Sequence, residues 1–252
     1  MAATLRRTSS GVILINFRSL IKEREDKKSH NYLNNHYEGK KTNASTYLLL
    51  KDIFPQNAID LGILSNPLQI RFFSTLESFA YRTADIVTFH SEGNLKLVSK
   101  KYPVFSKKFQ ILHNWVDMNQ DKSIKSTTDF RKKFNIYEKY VAIFAGVMGP
   151  SQYLELILYI AEKMQDVSEL LFLMVGEGSE KENLEKLTRK KNLSNVRFEG
   201  FVSREDYPGL LEICSIGLVC LSPKNKTPVV PGKILGYMAA GLPIAAFLQS
   251  SS

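Results

Sequence analysis

From Val141 onward the chain alternates short apolar runs with amphipathic segments, and this alternation constrains the fold more than any other feature. "VAIFAGVMG" and "LLFLMVGEGS" read as strands that run into glycine turns. Tyr153 to Met164 and Glu180 to Lys190 carry helical periodicity. "VRFEGFV", "DYPGLLEIC" and "IGLVCLSP" give a strand, a short helix and a strand. The strand runs are apolar throughout rather than alternating at period two. Strands of that kind are buried on both faces, as in a parallel sheet covered by helices. "VVPGKILGYMAAGLPIAA", from Val229 to Ala246, closes the pattern with a loop, an apolar helix, a Gly-Leu-Pro turn and another apolar run.

The first half repeats the theme less clearly. "TYLLLKDIF" reads as a strand, Pro67 to Ala84 as a helix, "ADIVTFHS" as a strand, "EGNLKLVSKKY" as a short helix and "FQILHNWVD" as a strand entering a loop. Lys22 to Thr46 is polar, rich in Asn and Lys, and reads as a loop or disordered stretch. Met118 to Arg131 is polar and linker-like. The expected division is 1–46 unassigned, 47–130 a first Rossmann-like domain and 131–252 a second. The fold class is α/β.

Charge narrows the partners. Lys and Arg number 34 against 25 Asp and Glu, a net charge of +9, which favours an anionic ligand or surface. The basic residues are scattered, and no aromatic–basic motif points to nucleic acid. His30, His36, His90 and His113 show no metal-ligand spacing, so neither a metal nor a cofactor is expected. Cys214 and Cys220 make no disulfide framework and read as buried thiols in a reducing compartment. The apolar run near the N-terminus is too short to span a bilayer. A cytoplasmic protein is expected.

In open α/β sheets ligands sit beyond the carboxyl ends of the strands. Gly146 and Gly149 flank Met148 there, and Gly176 and Gly178 bracket Glu177. Such turns permit close backbone approach to a phosphate, and they equally suit ordinary strand–helix connections. Neither is a dinucleotide fingerprint or a P-loop. Pro231-Gly232-Lys233 opens the last helix, where the charge of Lys233 opposes the helix dipole unless an anion binds nearby. Lys233 is therefore the leading phosphate ligand, with a solvated surface lysine as the alternative. Asp52, His90 and Asp117 end strands and are general-base candidates or loop residues.

At these loops the chain resembles the retaining glycosyltransferases of family four, of the GT-B fold, and among them bacterial capsule, O-antigen and lipopolysaccharide enzymes of the fucosamine-transferase type. The resemblance rests on "YLLLKDIFPQNAIDLGIL", "YRTADIVTFHS", "ILHNWVD", "FAGVMGPSQYLE", "LMVGEGSEKENL", "VRFEGFV" and "VVPGKILGYMAAGLPIAA", in order from Tyr47 to Ala246. It implies transfer of a sugar from a nucleoside-diphosphate-sugar, UDP-linked, to an acceptor hydroxyl. It implies that Gly146, Met148 and Gly149, with Gly176 and Gly178, approach the donor. Arg197 and Gly200 would lie near the base, and Pro231, Gly232 and Gly236 would border the donor. Lys233 would neutralise the diphosphate as the catalytic residue. A lipid-linked or saccharide acceptor and peripheral contact with the inner face of the cell membrane are the expected partners.

The pattern is departed from in places. The family places glutamates at the positions of Pro228 and Gly236, an Asn at Val147 and a Gly at Tyr153. Against the resemblance both domains are expected to be incomplete, truncated at both ends. The alternative expectation is therefore a noncatalytic remnant with weak nucleotide binding.

Overall fold

The computed structural model describes residues 6–7, 13–17, 45–116 and 128–248, the first two stretches by their backbone alone. The chain forms two compact units, each built on its own sheet. The first takes the described residues up to His113 together with Lys224–Val230. The second takes the described residues of Asn114–Pro223 and those from Pro231 to Leu248. Lys224–Val230 thus joins the first unit, although its sequence position lies deep in the second domain expected above.

In the first unit the sheet order is β1 (Arg6–Arg7), β2 (Ile13–Phe17), β3 (Thr46–Leu50), β4 (Ile86–Phe89) and β5 (Phe109–Ile111). Only β1 and β2 pair antiparallel; the other neighbours are parallel. No element was expected within 1–46, yet β2 pairs there along β3, Ile13 opposite Thr46. Helices α1 (Gln56–Asp60), α2 (Pro67–Thr83) and α3 (Glu92–Lys101) complete the unit. Asn66 starts α2: its side chain accepts from the N–H groups of Leu68 and Gln69, and Pro67 suits the first helical position. Ser91 starts α3 by accepting from the N–H of Asn94 at 3.2 Å. The core gathers Leu48, Tyr81, Val87, Phe89 and Val98. Asp60 holds Lys224–Val230 in place, its carboxylate accepting from the N–H groups of Lys226 and Thr227 at 3.1 and 3.0 Å.

One buried carboxylate ties α2 to the end of α3. Glu77 accepts from Tyr81 Oη at 2.9 Å, Lys101 Nζ at 2.9 Å and Tyr102 Oη at 2.7 Å. Removing it orphans two phenols, each worth about 1–3 kcal/mol when left unsatisfied in the interior. Glu77→Ala is expected to lower the urea midpoint of this unit by an amount equivalent to about 2–3 kcal/mol. An unchanged midpoint in denaturation followed by circular dichroism would show that the network contributes nothing.

The second unit has a parallel sheet of β6 (Tyr140–Ala145), β7 (Leu170–Val175), β8 (Val196–Glu199), β9 (Ile216–Cys220) and β10 (Ile244–Phe247), in the order β10-β9-β6-β7-β8. Its helices are α4 (Phe130–Lys133), α5 (Glu155–Lys163), α6 (Lys181–Lys190), α7 (Tyr207–Glu212) and α8 (Lys233–Ala239). The strands are doubly covered, as their composition requires. Val141, Ile143, Leu171, Leu173 and Val219 enter one core, while Ala142, Phe144, Phe172, Met174 and Leu218 enter the other. The chain runs outward from β6 through β7 to β8, then returns to β9 on the other side of β6. In open α/β sheets ligands bind at such a reversal, here at the carboxyl ends of β6 and β9. The loop after β6 and the helix after β9 lie at that end of the sheet.

Candidate functional site

The carboxyl end of this sheet is shaped first by backbone. Gly146 and Gly176 follow β6 and β7 with φ of +143° and +134°. The two loops lie so close that a Cβ on Gly176 would run into the carbonyl oxygen of Gly146, and one on Gly178 into that of Met148. They are also hydrogen-bonded: Gly146 N–H to Val175 O at 2.9 Å, Met148 N–H to Glu177 O at 2.9 Å and Glu180 N–H to Met148 O at 3.0 Å. Met148 is fully buried and its side chain belongs to the core. Gly176 and Gly178 are thus required by the neighbouring loop, whatever else they approach. Gly149 is open, with a Val147 methyl 3.9 Å from its Cβ position as the nearest neighbour.

A short 3₁₀ turn, Pro150–Gln152, follows and is anchored where Ser222 N–H donates to Ser151 O at 2.9 Å. Tyr153 ends it in the left-handed region, φ 50°, ψ 54°. The family pattern has glycine there, and the backbone explains why.

Lys233 begins α8, behind buried Pro231 and exposed Gly232. Its Nζ donates to Gln152 Oε1 at 2.8 Å and sits 3.5 Å from the Phe144 ring centroid. A Cβ on Gly146 would lie 3.6 Å from the same nitrogen. Among the described residues no carboxylate pairs with it. Burial lowers its pKa to about 7, and the nearby Cys220 thiol opposes that shift. The structure therefore brings Lys233 together with Gly146 and the Gly149–Gln152 turn.

Other expected residues sit elsewhere. Arg197 lies two residues before the end of β8. Its guanidinium donates to the carbonyls of Phe134 and Asn135, the latter at 2.9 Å, so it secures the chain after α4. Gly200 follows β8, its Cβ position 3.6 Å from the Glu177 carboxylate. Gly236 lies three residues beyond Lys233 on α8, against the ring of Tyr207. His90 is buried at the end of β4 in the first unit. Its Nδ1 meets Leu112 O at 3.1 Å, burial lowers its pKa, and its Nε2 has no partner among the described residues. Asp117 lies outside the described residues. No metal-binding group of His, Cys, Asp or Glu occurs among the described residues, and no helix there is long and apolar enough to cross a membrane.

The sequence reading missed Gln152, Phe144 and Tyr207. Gln152 lies three residues past Gly149, within reach for a side chain leaving that turn. Phe144 looks like any buried strand residue, and only the path of Lys233 gives it a second role.

Two consequences are measurable. The left-handed backbone costs a side-chain-bearing residue about 1–2 kcal/mol, and glycine's added chain entropy offsets about 0.5–1 kcal/mol. Tyr153→Gly is therefore expected to raise the melting temperature by about 2 °C; a lower value would show that the tyrosine side chain stabilises the turn. For Lys233, the unfolded chain holds its proton up to about pH 10.4 and the folded chain releases it near 7. The unfolded state thus binds more protons between those values, and stability from this group rises with pH across that window. Relative to Lys233→Met, the wild-type protein should lose stability as pH falls from about 10 to about 7 and no further below. A difference flat with pH in thermal melts would mean that the ammonium is fully solvated.

Comparison with known proteins follows this geometry. Residues 126–249 match the family described as glycosyl transferases group 1. Over 103 residues the chain is 30% identical to the putative colanic acid biosynthesis glycosyl transferase WcaI of Escherichia coli K12, covering 41% of this chain and 25% of the relative. Over 92 residues it is 34% identical to the UDP-glycosyltransferase TURAN of Arabidopsis thaliana, covering 36% and 20%. The matched segments thus span a quarter or less of these relatives. Among solved structures, WaaG, a glycosyltransferase involved in lipopolysaccharide biosynthesis, superposes with a TM-score of 0.66 at 16% identity, over 89% of this chain and 65% of that one. HepE from Anabaena, solved with UDP, superposes at 0.61 and 16% identity, over 92% and 59%.

Proposed function

We propose that this chain, whose residues 126–249 carry the group 1 glycosyl transferase pattern on a GT-B-type fold, serves a retaining transfer of sugar from a UDP-linked donor to an acceptor hydroxyl in surface-polysaccharide assembly. The observation that carries the reading is Lys233: a partly buried ammonium with an amide oxygen and an aromatic face, but no carboxylate among the described residues, beside the loop after β6. An anion is the ligand such a cation lacks. At about 4 Å, attraction between unit charges is about 4 kcal/mol at the effective dielectric typical of sites near a protein surface, against about 1 kcal/mol in bulk water.

The diphosphate leaving group develops charge as the glycosidic bond breaks, and a fixed cation stabilises that charge more than the ground state. Lys233 would supply it, with the N–H groups of Val147 and Gly149 beside the phosphates, those of Gly146 and Met148 being held by β7 and the loop after it. Similarity to WcaI and WaaG supports a surface-polysaccharide role. The net charge of +9 supports work at the inner face of an anionic membrane, on a lipid-linked or saccharide acceptor.

A second reading has one observation in its favour. Gly236 stands where the family resemblance leads one to expect a glutamate, which suits a chain that binds nucleotide without turning it over. Isothermal calorimetry with UDP, and then hydrolysis of UDP-sugars, separates the readings. The wild-type protein is expected to bind UDP and Lys233→Met to bind at least about 100-fold more weakly, in keeping with the loss of roughly 3 kcal/mol of charge-assisted contact. Equal affinities would sink the lysine's role. UDP binding without release from any UDP-sugar would favour the second reading.

A further inference from the structure

A cavity of about 410 Å³ lies within the first unit, between α1, the second half of α3 and the strap Lys224–Val230. Ile53, Leu97 and Val98 give it an apolar lining, and Lys100, Lys226 and Thr227 a polar one. Its size falls in the range of about 300–1,000 Å³ usual for small-molecule sites, which join apolar walls to a few placed polar groups. Asp60 also lines it, but that carboxylate is already committed: it accepts from Gln56 Nε2 at 2.8 Å and from the N–H groups of Lys226 and Thr227. Lys101 is held by Glu77. Lys100 and Lys226 are exposed, and neither has a carboxylate partner among the described residues. Thr227 is 3% exposed, and its hydroxyl has no hydrogen-bond partner among the described residues.

We infer that this cavity binds an organic phosphate monoester, with the phosphate at Lys100, Lys226 and Thr227 and the organic part on Ile53, Leu97 and Val98. Such a phosphate carries about −1.5 to −2 charge at pH 7 and three strong acceptor oxygens. Two ammoniums and a hydroxyl, all donors, match it. The ligand joins Lys100 on α3 to Lys226 on the strap, a second tie beside the one that Asp60 makes from α1. The site is independent of the donor reading above. Ligands of open α/β sheets sit at the carboxyl ends of the strands, and at that end of β4 the strap lies against the start of α3: a Cβ on Gly93 would lie 2.9 Å from Pro228 Cγ. Leu97 stands six residues beyond Ser91, the cap of α3, which is about 9 Å further along the helix. The same phosphate chemistry occurs in soluble metabolites and in a lipid headgroup of the phosphatidic acid type.

The test is calorimetry with phenyl phosphate and with inorganic phosphate, on the wild-type chain, Lys100→Gln, Lys226→Gln, Thr227→Val and Lys233→Met. The wild-type chain should bind phenyl phosphate more tightly than inorganic phosphate, because only the former covers the apolar lining. Lys100→Gln and Lys226→Gln should each weaken phenyl phosphate about 3- to 5-fold, and Thr227→Val about 3- to 10-fold. The lysines are exposed, so their variants keep the test open if Thr227→Val folds poorly. The binding event that these changes weaken should persist in Lys233→Met. A second arm sediments the protein with vesicles. Retention on phosphatidic acid but not on phosphatidylglycerol, weakened by the same substitutions, assigns the phosphate to a lipid headgroup. Binding of phenyl phosphate with equal retention on the two lipids assigns it to a soluble molecule, and either result supports the site. A folded wild-type chain that binds neither phenyl phosphate nor phosphatidic acid overturns the inference. So does an affinity unchanged in all three cavity variants, or one lost in Lys233→Met alone. Failure to bind UDP removes the donor reading and leaves this site standing.

Discussion

An ammonium set against an aromatic face and given only an amide oxygen is the interaction on which the second unit turns. Holding Lys233 beside Phe144 and Gln152 removes part of its hydration, and the depressed pKa is the mark of that cost. A surface lysine would avoid the cost by swinging into water. This one is kept from doing so by its place at the first turn of α8, under which Tyr237 is wedged. Tyr237 Oη accepts from Ala145 N–H at 3.1 Å and donates to Ile143 O at 3.2 Å, and its ring fills the space that a side chain on Gly217 would take. The helix that presents the lysine is thus bolted to β6 and β9, the strands at which the sheet order reverses.

The glycine loops serve that same placement. Two glycines let the loops after β6 and β7 approach to backbone contact, and their hydrogen bonds fix the turn that carries Gln152. Rigidity here has a purpose in any anion site. A dipole or cation already aimed at the place where charge develops does not have to reorganise when the charge appears.

How much of this was legible in the sequence depended on the kind of signal. The doubly covered sheet could be read directly, because strands such as "VAIFA" and "LLFLMV" have no polar face to give to water. Lys233 was legible as a charge set against a helix dipole. The glycines were legible only as glycines. A sequence does not distinguish one that admits a ligand from one that admits a neighbouring loop, and Gly176 and Gly178 do the latter. Arg197 was suggested by the family resemblance for a place near the base, yet its guanidinium caps the carbonyls after α4, a contact across more than sixty residues that no local pattern encodes. Strand β2 went unread for a related reason: a short run of five residues, four of them apolar, shows its role only when β3 pairs with it.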